Sequence, residues 1–206
     1  MTEAVAGLVL AGGTSRRMGG GDKFLMEIAG RTMLRRAIDR LKPQAGEIAI
    51  SANCNPALLA VYPYPVLPDT PPAGRGPLAG ILAGLDWAAL RTDARHMLTV
   101  ASDTPFFPEN LARALVEAAG DDRETIVLAA SNGRIHPVFG LWPVSAREAL
   151  RAWLGTGSSL KVTDFTDSRK YRSRDFAVGS EGDPFFNINT PDDLAEAERR
   201  LTGAAS

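Results

Sequence analysis

The chain has 206 residues, 45% of them hydrophobic, and its 23 basic and 24 acidic side chains leave a formal charge of -1. Such a length can bury a sizeable core and is expected to form a single domain over residues 1–206, while the balanced charge excludes long-range attraction to polymeric nucleic acid or acidic membranes, so any anion site must be local. One cysteine, Cys54, excludes an internal disulfide framework; with an acidic opening, MTEAV, and no apolar run near the ~18 residues of a membrane span, a soluble cytoplasmic protein is expected.

In chain order, Val5 to Leu10 is an apolar run of strand length that breaks into LAGGTSRRMGGGDK, Leu10 to Lys23. Thr32 to Leu41 sets Leu34, Ile38 and Leu41 on one helical face. Glu47 to Ala52 and Tyr64 to Leu67 read as strands. Pro77 to Leu90 reads as a helix carrying Leu78, Ile81, Leu82, Leu85 and Ala89, entered at Gly76-Pro77 because proline is tolerated in a first helical turn. His96 to Ala101 and Thr125 to Ala130 are further strands. Strands alternating with helices imply a mostly parallel sheet covered on both faces. Ile135 to Trp142 is a strand and a candidate for antiparallel pairing, and Ser145 to Leu154 a helix. Gly155 to Gly182 is a loop-rich flank with one short helix and a candidate strand at Arg174 to Val178. Thr190-Pro191-Asp192-Asp193 combines an N-cap, a proline and first-turn acids, opening a helix to about Leu201.

The glycine loop joins five glycines to Arg16, Arg17 and Lys23. Backbone N–H groups without Cβ obstruction can approach an anion, a following helix N-terminus adds partial positive charge, and ligands bind at the carboxyl ends of parallel strands. The loop therefore reads as a phosphate cradle. Two named motifs fail on spacing: Lys23 sits between Asp22 and Phe24, unlike a P-loop lysine, and Gly19-Gly20-Gly21 meets Phe24 where a dinucleotide fingerprint needs its last glycine. An oxidoreductase reading falls with the second. What remains is a cradle in which fixed arginine and lysine charges stand beside the glycines.

Two strands end in carboxylates, Asp69 after Leu67-Pro68 and Asp103 after Ala101-Ser102. If both run parallel to the first strand, these groups lie on the loop's edge of the sheet, where a hard cation could bridge carboxylate and phosphate oxygens. Phosphoryl chemistry then needs charge neutralisation and alignment rather than a covalent helper. No Ser-His-Asp or Cys-His constellation stands out; His96 and His136 sit in strand contexts, and Cys54 reads as a small apolar side chain.

Seven segments occur in family order over nearly the whole chain: LAGGTSRRMGGGDK, ISAN (Ile50 to Asn53), LPD (Leu67 to Asp69), GPLAG (Gly76 to Gly80), SDTPFF (Ser102 to Phe107), GRIHPVFGLWP (Gly133 to Pro143) and DPFFNINTP (Asp183 to Pro191). Together they resemble the nucleotidyltransferases, and in particular the molybdenum cofactor guanylyltransferase or MobA family. The resemblance implies an α/β fold, a three-layer Rossmann-like nucleotidyltransferase domain with a mostly parallel sheet, that transfers GMP from Mg-GTP to the terminal phosphate of Mo-molybdopterin and releases pyrophosphate. By position it implies GTP contacts at Leu10, Ala11, Gly12 and Gly13. Arg17 and Lys23 would act on the phosphates, Asn53 and Asp69 on the nucleoside side, and Asp103 on Mg2+. Gly76 and Gly80 would admit the nucleoside closely, and Asn187 and Asn189 would face the pterin. Implied partners are a molybdenum-insertion enzyme, a small GTP-binding accessory protein and acceptor molybdoenzymes. The alternative is cytidylyl transfer to molybdopterin or another phosphorylated acceptor; LAGG, GGGDK and NINTP lean towards guanylyl transfer. A non-catalytic nucleotide-binding module would be marked by a lost loop lysine or magnesium carboxylate, and both are present.

Overall fold

A computed structural model describes residues 5–12, 22–69, 76–157 and 159–203. Its main sheet has 7 strands in the order β5-β4-β1-β6-β8-β7-β9. These are β1 (Val5–Leu10), β4 (Ile48–Ser51), β5 (Val66–Leu67), β6 (His96–Ala101), β7 (Ile126–Ser131), β8 (Arg134–Pro143) and β9 (Tyr171–Phe176); β2 (Glu27–Ile28) and β3 (Arg31–Thr32) form a separate hairpin. Strands β5, β4, β1 and β6 are mutually parallel, β8 is antiparallel to both β6 and β7, and β9 is parallel to β7. The mostly parallel sheet and the antiparallel strand near its far side agree with the reading above.

Helices α1 (Met33–Leu41), α2 (Pro77–Arg91), α3 (Leu111–Ala119), α4 (Ala146–Gly155), α5 (Val162–Asp167) and α6 (Pro191–Thr202) complete the chain. The strand period of two sorts the core. Val5 and Val9 of β1 face α1 and α3 with Leu34, Ile38, Leu111 and Leu115, whereas Ala6 and Leu8 face α2, α4 and α5 with Ile81, Leu85, Leu150 and Phe165. Two buried faces make the three layers. A smaller cluster of Ile28, Met33, Ile188 and Ala197 joins the β2–β3 hairpin to α6.

Some elements depart from expectation. Helix α3 was not anticipated: Leu111 and Leu115 mark its buried face, but its other buried positions are the alanines 112, 114 and 119. Strand β5 is shorter than Tyr64 to Leu67, and β9 lies at Tyr171–Phe176 rather than Arg174 to Val178, with only Phe176 buried. That edge strand exists because β7 offers it a ladder, not because its own pattern is amphipathic. The β7–β8 hairpin turns on Asn132-Gly133, both at positive φ, as a two-residue turn of primed type requires. Its register breaks after Leu128: Gly140 pairs with Leu128 but His136 with Ala129, leaving Pro137, Val138 and Phe139 in the interruption.

Candidate functional site

The parallel strands β5, β4, β1 and β6 all end at one edge of the sheet, and their exits build the site. The hydrogen-bond ladder runs past the strand ends: Ala11 N–H donates to the Ser51 carbonyl at 2.8 Å, Ser102 N–H to Leu10 at 3.1 Å and Ala52 N–H to Leu67 at 3.0 Å. Held this way, Gly12, Asn53, Asp69 and Asp103 line one cavity of about 620 Å3, with Leu10, Ser51, Gly76, Gly80, Val138 and Asn187 also in its wall. That size suits a small-molecule or cofactor ligand. Asp69 and Asp103 therefore share the sheet edge with Gly12. Gly13, Arg16 and Arg17 lie outside the described residues.

The glycine loop leads into a 3-10 turn, Lys23–Leu25, and Met26 is already extended. Among the described residues the loop is followed by a turn too short to sum a dipole, and the positive charge they bring here is the Lys23 ammonium. Lys23 is 8% exposed. Its Nζ donates to Asp103 Oδ2 at 2.7 Å, to Asn189 Oδ1 at 2.7 Å and to Asn187 Oδ1 at 3.4 Å, which occupies all the donors an ammonium has. Alternation along an extended segment turns Asn187 and Asn189 to one side and Ile188 to the other; Ile188 is fully buried and its N–H donates to the Asp103 carbonyl at 3.0 Å. Lys23 and Asn189 thus stand behind the cavity wall that Asp103 and Asn187 form.

The remaining expected residues have distinct places. Asn53 Oδ1 accepts the Asp69 N–H at 2.9 Å, fixing the loop that presents Asp69. Ala11 is buried and its N–H serves the ladder, so it backs the wall rather than lining it. Gly76 caps α2 at φ 66 and ψ -161, a conformation that L side chains resist. Gly80 is dictated by packing as well as by the cavity: a Cβ there would lie 2.4 Å from Ser51 Oγ and 3.1 Å from Leu10 Cδ2. Sequence reasoning missed Ser51, although the ISAN motif contains it, and Val138, whose aim depends on the interrupted β8 register.

Both histidines are structural in placement. His96 is buried with Nε2 3.0 Å from the Arg123 carbonyl. His136 Nε2 lies 2.7 Å from Ser131 Oγ, and burial holds its pKa below 6.5, against the nearby Asp183 charge and with the help of Arg134. Ser131 also reaches Asp183. The structure thus assembles a Ser-His-Asp contact that the sequence reading did not find, because its members are 5 and 52 residues apart. Serine lies between the other two, so it is not the order of a nucleophilic triad. Burial, followed by the Asp22 charge, pushes the Cys54 thiol up, as suits a packed side chain rather than a nucleophile.

Among the described residues no three His, Cys, Asp or Glu side chains gather as a metal cage. The oxygen donors at the cavity, Asp103 and Asp69, fit a hard divalent ion that keeps water and takes further ligands from substrate phosphates, which is how magnesium is usually held. No helix among the described residues is long and apolar enough to cross a membrane.

The model of the MobA-like NTP transferase domain matches residues 7–170. A molybdenum cofactor guanylyltransferase of Bradyrhizobium sp. (strain ORS 278) is 51% identical over 199 residues, covering 96% of this chain and 93% of that protein. Among solved structures, molybdopterin-guanine dinucleotide biosynthesis protein A from Archaeoglobus fulgidus superposes with a TM-score of 0.74 at 23% identity, covering 97% of this chain and 100% of the other. A Mycobacterium tuberculosis protein in complex with manganese superposes with a TM-score of 0.67 at 18% identity, over 97% of this chain and 100% of the other. These two structural likenesses speak for the fold.

Proposed function

Given that the chain belongs to the MobA-like NTP transferase domain family, we propose that it transfers GMP from Mg-GTP to the terminal phosphate of Mo-molybdopterin, forming the guanine dinucleotide cofactor and releasing pyrophosphate. The observation that carries this reading is Asp103 at the wall of a strand-edge cavity with the Lys23 ammonium paired to it from behind, in a chain 51% identical to a guanylyltransferase.

In this reading the backbone from Gly12 to Gly13 cradles the triphosphate, with Leu10 lining that wall and Ala11 backing it, and Arg17 and Lys23 supply its fixed countercharge. Asn53 and Asp69 face the nucleoside, with Gly76 and Gly80 keeping that wall thin. Asp103 and the triphosphate would hold Mg2+, which when bound screens the repulsion between the two anionic reactants. The nucleophile is a phosphate monoester whose second ionisation lies near pH 6, so it is already largely dianionic at neutral pH and no side chain has to remove a proton. Lys23 is preset: with its amide and carboxylate partners already in place, little reorganisation is needed as charge develops. Asn187 and Asn189 tie the acceptor side to that same ammonium.

The test is to incubate the protein with Mo-molybdopterin, magnesium and each nucleoside triphosphate in turn, measuring pyrophosphate and the mass of the dinucleotide. GTP is expected to be strongly preferred. Preference for CTP would establish the cytidylyl alternative, and no pyrophosphate from any triphosphate would overturn the proposal.

A further inference from the structure

Three side chains away from the cavity wall meet where the β7–β8 hairpin faces the segment preceding α6. Ser131, the last residue of β7, is 1% exposed. Its Oγ lies 2.7 Å from His136 Nε2 and 2.9 and 3.0 Å from the carboxylate oxygens of Asp183. A carboxylate only accepts and a hydroxyl has one proton to give. Ser131 therefore donates to Asp183 and accepts from His136, which makes His136 the Nε2–H tautomer. Asp183 Oδ1 also accepts the Phe185 N–H at 2.8 Å. The His136 ring stacks on Phe185 with centroids 4.4 Å apart and planes at 22°, and Phe185 is held edge-on by Phe139 and Phe176.

From this anchor the chain runs to Ile188, docked on the Asp103 carbonyl, and to Asn189 and Thr190, whose N–H groups both donate to Asp193 Oδ2 at 2.8 Å. The asparagines that hold Lys23 thus hang on a segment tied at both ends. A simple turn would need only the Asp183–Phe185 bond. The Ser131 and His136 contacts add no turn geometry; they fix the turn to the sheet that carries the strand edge.

We propose that Asp183 is a positioning residue for the transfer reaction: locked to the sheet by Ser131 and His136, it sets where Asn187 and Asn189 hold Lys23. This rests on the guanylyl-transfer reading of the site. The chain has two histidines, so 15N spectra of histidine-labelled protein can be assigned with His96→Gln. Wild type is expected to show the Nε2–H tautomer at His136. In Asp183→Asn the amide oxygen keeps the Phe185 N–H, the new NH2 group donates to Ser131, and the Ser131 proton turns to His136, which switches to Nδ1–H. Amide exchange at Ile188 is expected to accelerate about tenfold in Asp183→Ala and Ser131→Ala while β1 amides are unchanged, reporting local undocking in a folded protein. In the transfer assay, Asp183→Ala is expected to lower kcat about tenfold with the KM for GTP within about twofold, as displacement of a positioned group does, and Asp183→Asn, which keeps the contacts, is expected to restore most of it.

A wild-type protein without transfer activity would refute the reading of the site, and this proposal with it. Wild-type transfer accompanied by an Nδ1–H His136, by unchanged Ile188 exchange in both alanine variants, or by an unaltered kcat in Asp183→Ala would refute the proposal alone.

Discussion

Replacing Lys23 with methionine removes a charge and three hydrogen bonds while keeping most of the aliphatic stem. In the native site the Lys23 and Asp103 side chains are 10% and 20% exposed and 2.7 Å apart. Two limits frame the cost: an exposed ion pair contributes about 0–1 kcal/mol, whereas stripping one partner from a fully buried pair costs about 3–5 kcal/mol. Here Asn187 and Asn189 enclose the ammonium, but Asp103 borders a cavity from which water can reach its carboxylate. The loss is therefore expected near the value of a charge-assisted hydrogen bond, about 2 kcal/mol. Lys23→Met combined with Asp103→Asn, which leaves no charge unpaired, is expected to lose less than the sum of the single variants by about 1.5 kcal/mol. Urea unfolding followed through tryptophan fluorescence, Trp142 being fully buried, reads this as midpoint shifts at constant slope. The same Lys23 variant is expected to lose transfer by about a hundredfold or more. A coupling below about 0.5 kcal/mol would mean that the pair behaves as an exposed one, and the argument for a preset ammonium would fail.

Gly80→Ala drives a Cβ into Ser51 Oγ and close to Leu10 Cδ2, so the Ser51 hydroxyl must turn aside or α2 must shift, at a cost of about 1–3 kcal/mol; Ser51→Ala should relieve part of it, and equal Tm losses with and without that second change would discount the clash. Asp103→Ala is expected to abolish metal-dependent transfer, with no recovery on titrating magnesium past the level that saturates wild type; recovery would remove Asp103 from the metal site. Arg17→Ala should lower turnover at unchanged Tm, and near-normal turnover would remove its phosphate role. Because burial depresses the His136 pKa, the unfolded chain binds more protons below 6.5, so stability should fall as pH drops from 6.5 towards the folded value and level off beneath it. His136→Gln is expected to flatten that slope in urea midpoints measured from pH 7 to 5; parallel slopes would show that the Asp183 charge cancels the combined effect of burial and Arg134.

Local pattern determined much of this protein before any tertiary contact was known. Val5 to Leu10 and His96 to Ala101 have the strand limits that their apolar runs imply, and α1 and α6 begin where Thr32 and Thr190 cap them. Burial on one or both faces, and a cap's bond to a nearby N–H, involve residues close in sequence, so their signals are legible there. The strand exits could likewise be read as a shared edge, because parallel strands linked by helices must end on the same side. Folding alone decided which groups meet. Lys23 finds Asn189 across 166 residues, and Ser131 finds Asp183 across 52; β9 is a strand because β7 lies beside it, and Val138 enters the cavity because a register breaks. Such contacts depend on distances between elements set by packing of the whole core, and periodicity carries no record of them.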